Sequence, residues 1–291
     1  MSEFALFVGC VIANRFPHIE KSGRIVLKNL NINVNDIPEF NCCPNPTGIL
    51  QISNEAWTVS AAHNLCLAEE KGLDILTFCN GCYETLKSTN VELKHDSELK
   101  EKVNKALAKV GKEYKGNIKV VHFLEYIYKN ITPEKLKETV QRPLDNLRIA
   151  TFYGCHYGRP SSLLNFDDPL RPVSLDEVVE AMGATSVEYL NKYTCCGSAI
   201  SGIDEESQLK LLKDKLEQVE RVKADCICVI CPACYMQLDG NQRKLNSKYG
   251  TNFNIPILYL TELIALAQGV QEAELGLNFH SIKVKELLTK F

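Results

Sequence analysis

The chain has 291 residues, of which 45% are hydrophobic, so it can bury one large core or two ordinary ones. Its net charge of -3 supplies no basic face for phosphate groups, which excludes nucleic acid as an expected partner. No apolar run reaches the roughly 18 residues of a membrane span, and the start of the chain lacks a charged region before a long apolar segment. We therefore expect a cytoplasmic protein with no membrane span.

Apolar runs of strand length alternate with helical patterns along the first half. Strands are predicted at 5–11 and 73–82. A helix is predicted between them at 53–72, because this segment begins with a Ser/Asn cap and ends at Gly72. Strands that alternate with helices form parallel sheets whose two faces are both covered by helices.

The second half repeats this order. Strands are predicted at 147–156 and 225–234, and a long amphipathic helix at 204–224 precedes the second of them. The sequence thus predicts an α/β fold of two similar Rossmann-like halves, related by an internal repeat, with helices on both faces of each parallel sheet. The predicted domains are 1–145 and 146–291.

Ten of the thirteen cysteines form two copies of one pattern, a lone Cys, an adjacent pair and a Cys-x-x-Cys. Corresponding cysteines are 145, 153 and 152 residues apart, and such matched spacing indicates one metal site in each half. Ligands of parallel sheets gather at the carboxyl ends of the strands, so we expect the cysteines of each half to converge there. The first set is Cys10, Cys42, Cys43, Cys79 and Cys82, and the second set is Cys155, Cys195, Cys196, Cys231 and Cys234.

The number of thiols favours an iron–sulfur cluster over zinc. Structural zinc takes four ligands, whereas the motif in each half offers five thiols. Neighbouring side chains on extended backbone point in different directions, so an adjacent pair suits two irons of a cluster better than a single ion. The cubane ferredoxin run C-x₂-C-x₂-C-x₃-C is absent from the sequence, so a partner must deliver electrons.

At these residues the chain resembles, over its whole length, the cysteine-rich CCG-domain family, and within it the B-type subunits of heterodisulfide reductase from methanogenic archaea. The second half carries the family signature as Cys-Cys-Gly at 195–197, and the first carries the variant Cys-Cys-Pro at 42–44. The resemblance implies that each five-cysteine set holds one noncubane [4Fe-4S] cluster.

The resemblance also implies a reaction, the reduction of the coenzyme M–coenzyme B heterodisulfide to the two free thiols. Breaking a disulfide takes two electrons, and a cluster ordinarily delivers one at a time. We therefore expect the disulfide to lie between the two clusters. The implied partners are a ferredoxin-like iron–sulfur subunit of the C type and an upstream flavoprotein of the A type, with a hydrogenase or formate dehydrogenase as a further partner.

Two alternatives stay open at this point. CCG-domain proteins are also similar to subunits of glycolate or lactate oxidation systems and of thiol:fumarate reductase, so the substrate could differ. A second alternative is a non-catalytic subunit, either an electron relay or a zinc-bound scaffold.

A few residues outside the motifs are candidates for substrate binding and proton transfer. The anionic ends of the implied substrate require fixed positive charge, and Arg15 and Arg159 lie five and four residues after the lone cysteines. His156 directly follows Cys155 and is a candidate proton donor to a departing thiolate, with a packing or hydrogen-bonding role as the alternative. The residues predicted to belong to the core are Cys66, Cys226, Cys228 and His122.

Overall fold

The computed structural model describes residues 2–291, and this part of the chain forms two four-stranded sheets. All neighbouring strands are parallel. The strands are β1 (Glu3–Phe7), β2 (Asn33–Asn35), β3 (Asp74–Thr77), β4 (Val120–His122), β5 (Arg148–Phe152), β6 (Thr185–Ser186), β7 (Cys226–Val229) and β8 (Ile257–Tyr259). The first sheet has the order β2-β1-β3-β4 and the second has β6-β5-β7-β8, so the two halves repeat one topology.

Helices connect the strands and cover the sheets. They are α1 (Cys10–Arg15), α2 (Pro17–Asn29), α3 (Ile49–Ile52), α4 (Asn54–Lys71), α5 (Asn80–His95), α6 (Ser97–Leu107), α7 (Phe123–Tyr126), α8 (Pro133–Glu138), α9 (Ser161–Leu164), α10 (Ser174–Ala181), α11 (Glu205–Arg221), α12 (Pro232–Gly240), α13 (Gln242–Tyr249), α14 (Leu260–Ala267), α15 (Glu272–Leu275) and α16 (Lys285–Leu288). The α/β class with two similar halves is confirmed.

The two long predicted helices are present, with their ends set by local capping. Ser53 accepts a hydrogen bond from the backbone N–H of Ala56 at the start of α4, and Gly72 ends that helix in the left-handed conformation. Asp204 caps α11 in the same way, by accepting from the N–H of Ser207. The four predicted strands are also present but shorter, because the chain turns into a loop or helix before Cys10, Cys79, Cys155 and Cys231.

Helices pack on both faces of each sheet. In β1, Ala5 and Phe7 belong to the apolar cluster of α4 and α5, whereas Leu6, on the opposite face, belongs to the cluster of α2. In β5, Thr151 donates to the carboxylate of Asp176 in α10, while the next residue, Phe152, lies on the side of α11.

The two halves form one packed unit through contacts between α2 and α14 and between the carboxyl ends of the sheets. The buried side chain of Asn80 donates to the carbonyl of Tyr153 at 2.6 Å, and the hydroxyl of Tyr259 donates to the carbonyl of Phe78, also at 2.6 Å. These bonds join residues directly after β3 and β5 to the opposite half. The ends of the central strands are therefore held against each other.

We predict that Tyr259→Phe lowers the free energy of unfolding by about 1–3 kcal/mol, because it leaves the buried carbonyl of Phe78 without its donor. Urea unfolding followed by circular dichroism measures this change. Tyr128→Phe is the matched control, since its hydroxyl bonds at the surface to Glu177, and we expect a change below about 0.5 kcal/mol. Equal effects of the two changes would contradict the role given to Tyr259.

Candidate functional site

All ten motif cysteines line one cavity of about 160 Å³. The cavity lies at the carboxyl ends of the central strands of both sheets, where the two halves meet. The structure thus brings each five-cysteine set together and also places the two sets opposite each other. The remaining lining residues are mostly apolar, and among those described His156 is the only ionisable one besides the cysteines.

The Cys-x-x-Cys segments occupy equivalent places in the two halves. Cys79 has extended backbone and is the residue before α5, and Cys231 has the same role before α12. Cys82 and Cys234 follow in the first turn of these helices, where both are buried. All four cysteines therefore lie where the chain passes from a central strand into a helix, at the carboxyl ends of β3 and β7.

The glycine before each lone cysteine makes room for the site. Gly9 and Gly154 have φ angles of 77° and 72°, which side chains rarely adopt. A Cβ atom at Gly9 would lie 2.8 Å from the sulfur of Cys82, and one at Gly154 would lie 3.2 Å from the sulfur of Cys234. Neither glycine was predicted from the sequence to serve the site, although both share the 145-residue spacing of the lone cysteines.

Sulfur atoms approach each other within each set. The sulfurs of Cys10 and Cys42 are 3.9 Å apart, and those of Cys196 and Cys234 are 3.6 Å apart. The two sets also meet, because the thiol of Cys79 shares a hydrogen bond with Cys231, which raises the pKa of Cys79 well above its usual value.

In each set one thiol of the adjacent pair is the more acidic. Hydrogen bonds from Cys42 and then Cys82 lower the pKa of Cys43, and a hydrogen bond from Cys155 is the largest cause that lowers the pKa of Cys195. Crowded thiols that share protons in this way suit a metal centre, which binds them as thiolates and releases their protons.

Glu84 of α5 lies across the interface from the predicted proton donor. The ring Nδ1 of His156 is 3.8 Å from the Oε2 atom of Glu84. This oxygen is buried and has no hydrogen-bond partner among the described residues. Burial, followed by the nearby charge of Cys43, raises the pKa of Glu84 to about 7. Glu84 could not be found from the sequence, because nothing there places a first-half carboxylate beside a second-half histidine.

Neither predicted anion ligand is among the residues that line the cavity. Arg15 is exposed and its Nη1 atom lies 3.5 Å from the sulfur of Met236 in α12. Arg159 is also exposed and donates to the carbonyl of Tyr193 at 3.0 Å. The four residues predicted to be core are all at most 1% exposed, which confirms that prediction: Cys66, His122, Cys226 and Cys228.

A second buried group of possible metal ligands lies outside the cavity lining and consists of His18, Glu262 and His280. The carboxylate of Glu262 accepts hydrogen bonds from His280 at 2.9 Å and from the backbone of Tyr259 at 2.7 Å. His18 packs among aromatic rings, including that of Tyr235. The Nε2 atom of His18 in α2 lies 3.9 Å from the Oε1 atom of Glu262 in α14, so the group lies between these two helices.

Comparisons with known proteins agree with the repeat. The family model of the CCG cysteine-rich domain matches residues 4–87 and 149–239. The chain is 42% identical to the B-type subunit of the ferredoxin/F(420)H(2)-dependent CoB-CoM heterodisulfide reductase from Methanosarcina acetivorans, over 100% of this chain and 97% of that protein. It is also 34% identical to the 8-methylmenaquinol:fumarate reductase membrane anchor subunit of Wolinella succinogenes, over 98% and 99% of the two chains.

A solved structure of a hypothetical protein from Helicobacter pylori has a similar fold, with a TM-score of 0.81 and 20% identity. The similarity covers 97% of this chain and 52% of that one. No helix in residues 2–291 is both long enough and apolar enough to cross a bilayer.

We predict that Gly154→Ala destabilises the protein more than Gly250→Ala does. Both glycines have positive φ angles, so both variants carry a backbone strain of about 1–2 kcal/mol, but only at Gly154 would the methyl group contact other atoms. Those atoms are Nδ2 of Asn80 at 2.9 Å and the sulfur of Cys234 at 3.2 Å. Urea unfolding gives the free energy of unfolding of each variant, and the difference between the two variants measures the cost of this contact. If the two variants were equally destabilised, only the positive φ angle would require a glycine at position 154.

Proposed function

The chain belongs to the CCG cysteine-rich domain family, and we propose that it is the catalytic subunit that reduces the coenzyme M–coenzyme B heterodisulfide to two free thiols. The relative that is 42% identical over the whole chain is a heterodisulfide reductase subunit, which supports an oxidoreductase activity. The observation that carries the proposal is the one cavity lined by both five-cysteine sets.

The residues fit one noncubane [4Fe-4S] cluster on each set. Each set offers five thiols at one sheet edge, and the glycine that precedes each lone cysteine leaves space beside the sulfur of Cys82 or Cys234. Within the first adjacent pair, Cys42 is exposed while Cys43 is buried, so the two thiols of the pair face different surroundings. That arrangement suits two different irons. When bound, each cluster supplies one of the two electrons that cleavage of a disulfide needs.

The protein's own contribution is to position the substrate. The reaction consumes two electrons and two protons and converts one disulfide into two thiols. A disulfide held in the cavity would have one sulfur towards each cysteine set. The apolar lining, which includes Val11, Ile12 and Ala199, limits the water around it. His156 is the proposed proton donor, since it lines the cavity and has Glu84 beside it.

We keep Arg15 and Arg159 as proposed ligands for the anionic ends of the substrate. Both are exposed, and Arg15 belongs to the helix whose first residue, Cys10, lines the cavity. A guanidinium group offers paired donors to sulfonate, carboxylate or phosphate oxygens. In this arrangement the disulfide lies inside the cavity and the charged ends extend outward.

The proposed electron donor is a ferredoxin-like iron–sulfur subunit of the C type, because the chain has no cubane ferredoxin run of its own. A flavoprotein of the A type lies upstream in the proposed complex. Reduced thiols in this number suit the cytoplasm, where we propose that the complex acts.

A second candidate function is a role in a fumarate-reducing complex. The relative from Wolinella succinogenes belongs to such a complex by name and aligns with almost the whole chain, so one fold serves both kinds of reductase. Reduction of the heterodisulfide by reduced viologen dye separates the two candidates. Turnover of the disulfide supports the first, and absence of turnover in protein with full iron content supports the second.

We predict about eight irons, with as much acid-labile sulfide, in each chain of anaerobically prepared protein. Ten thiols in two sets can hold two four-iron clusters. Chemical analysis of iron, acid-labile sulfide and zinc in the same preparation measures this content. Zinc without iron would contradict the proposal and favour the scaffold alternative.

We further predict that Cys43→Ser and Cys196→Ser each remove about half of the iron and abolish reduction of the heterodisulfide, because each removes a buried thiol from one set. Cys228→Ala is the matched control, since this thiol is buried but does not line the cavity. It should keep its iron and its activity. If a variant that lacks one cluster still turned over at the normal rate, the scheme with two sites would be wrong.

A further inference from the structure

Lys215 of α11 is a buried lysine without a carboxylate partner. Its side chain is fully buried, and no ion pair links it to any acidic group in residues 2–291. Its ammonium group donates to the carbonyl of Asn191 and lies 3.4 Å from the hydroxyl of Thr194 and 4.2 Å from the centroid of the Phe152 ring. A buried charge of this kind is costly unless an opposite charge lies near it.

A second buried lysine, Lys192, is paired with carboxylates, as buried lysines usually are. Its ammonium group lies 2.8 Å from Asp176 and 2.7 Å from Glu188. The ammonium group of Lys215 instead lies beside the second cysteine set, because it contacts Thr194, the residue that directly precedes Cys195. Burial is the largest cause that lowers the pKa of Lys215 to about 8, a value at which the ammonium form still predominates at neutral pH.

The first half has a neutral residue at the equivalent position. Asn64 lies eleven residues after the cap of α4, as Lys215 lies eleven residues after the cap of α11, and both are fully buried. The amide of Asn64 accepts from the N–H of Asn41 at 2.8 Å and donates to the carbonyl of Cys42 at 3.3 Å. Both residues therefore support the segment that leads into the adjacent cysteine pair.

We infer that Lys215 is a positioning residue that places a fixed positive charge beside the second cysteine set and makes the two clusters unequal, the second being the easier to reduce. This inference rests on the proposed function, since it needs a cluster on each set. A reduced cluster carries one more negative charge than the oxidised form, and a nearby cation in a medium of low dielectric constant stabilises the reduced form. Asn64 offers no such charge to the first set.

The test is a redox titration of the intact protein with both clusters, followed by electron paramagnetic resonance. Lys215→Gln keeps a hydrogen-bond donor but removes the charge. We expect the reduced-to-oxidised ratio of one cluster to fall about tenfold at a given potential, which is a downward shift of about 59 mV for one electron, while the other cluster is unchanged. Lys215→Arg keeps the charge and should titrate like the unchanged protein.

Lys210→Met is the control for charge elsewhere on the same helix, because this lysine is exposed and pairs with Glu206. It should shift neither cluster. Iron content is measured on every variant. If Lys215→Gln keeps its iron and titrates like the unchanged protein, the inference is wrong. If it loses the second cluster while Lys215→Arg keeps it, the charge is required there, and the inference then stands only if the second cluster of the unchanged protein titrates at the higher potential. Loss in both variants would show a packing role and overturn the inference. Unchanged protein without iron would refute the proposed function instead.

Discussion

The arrangement of the site depends on the buried contacts that hold the carboxyl ends of the two parallel sheets together. A parallel sheet presents its strand ends, and the loops that follow them, at a single edge. The bonds from Asn80 to Tyr153 and from Tyr259 to Phe78 place these two edges against each other. Because each edge carries five cysteines, the contact turns two separate sets of thiols into the walls of one cavity. This packing therefore allows two one-electron centres, one on each cysteine set, to face the same substrate.

The internal repeat is close in topology but unequal in local chemistry. Gly197 follows the second adjacent pair with a φ of 87°, and a Cβ atom there would lie 3.1 Å from the carbonyl oxygen of Gln208. The first pair is followed by Pro44, whose ring restricts φ to negative values, so the first segment takes a different path. Together with Asn64 and Lys215, these differences give each set its own surroundings. A substrate whose two ends differ would meet two different sites.

The sequence was sufficient to predict the fold class, the two long helices and the two cysteine sets, because each depends on a local pattern or on matched spacing. Ser53 caps α4 as the Ser/Asn signal predicts, and α11 begins directly after Asp204, the first residue of the second predicted helix. The strands were predicted too long, since apolar residues such as Phe78 and Ile230 continue past the last ladder bond and pack in the interface instead. The pattern of apolar residues indicates which residues are buried, and the residues that follow a strand can be buried as well.

Features that depend on how the halves pack could not be predicted in this way. Spacing alone indicates two sites, and the expectation that both face one substrate rests on the two-electron reaction that the resemblance implies, because the relative orientation of the halves is set by contacts distant in sequence. The pairing of His156 with Glu84 and the position of Lys215 have the same origin. The 145-residue spacing of Gly9 and Gly154 was visible, but its reason is a tertiary contact, since a cysteine sulfur occupies the space that a Cβ atom would need.

Anomalous diffraction at the iron absorption edge from anaerobic crystals tests the central claim most directly. We expect two groups of about four iron atoms on opposite walls of one cavity, one group at Cys43 and the other at Cys196. A single group of irons, or a signal at the zinc edge instead, would contradict the claim that two clusters face one substrate.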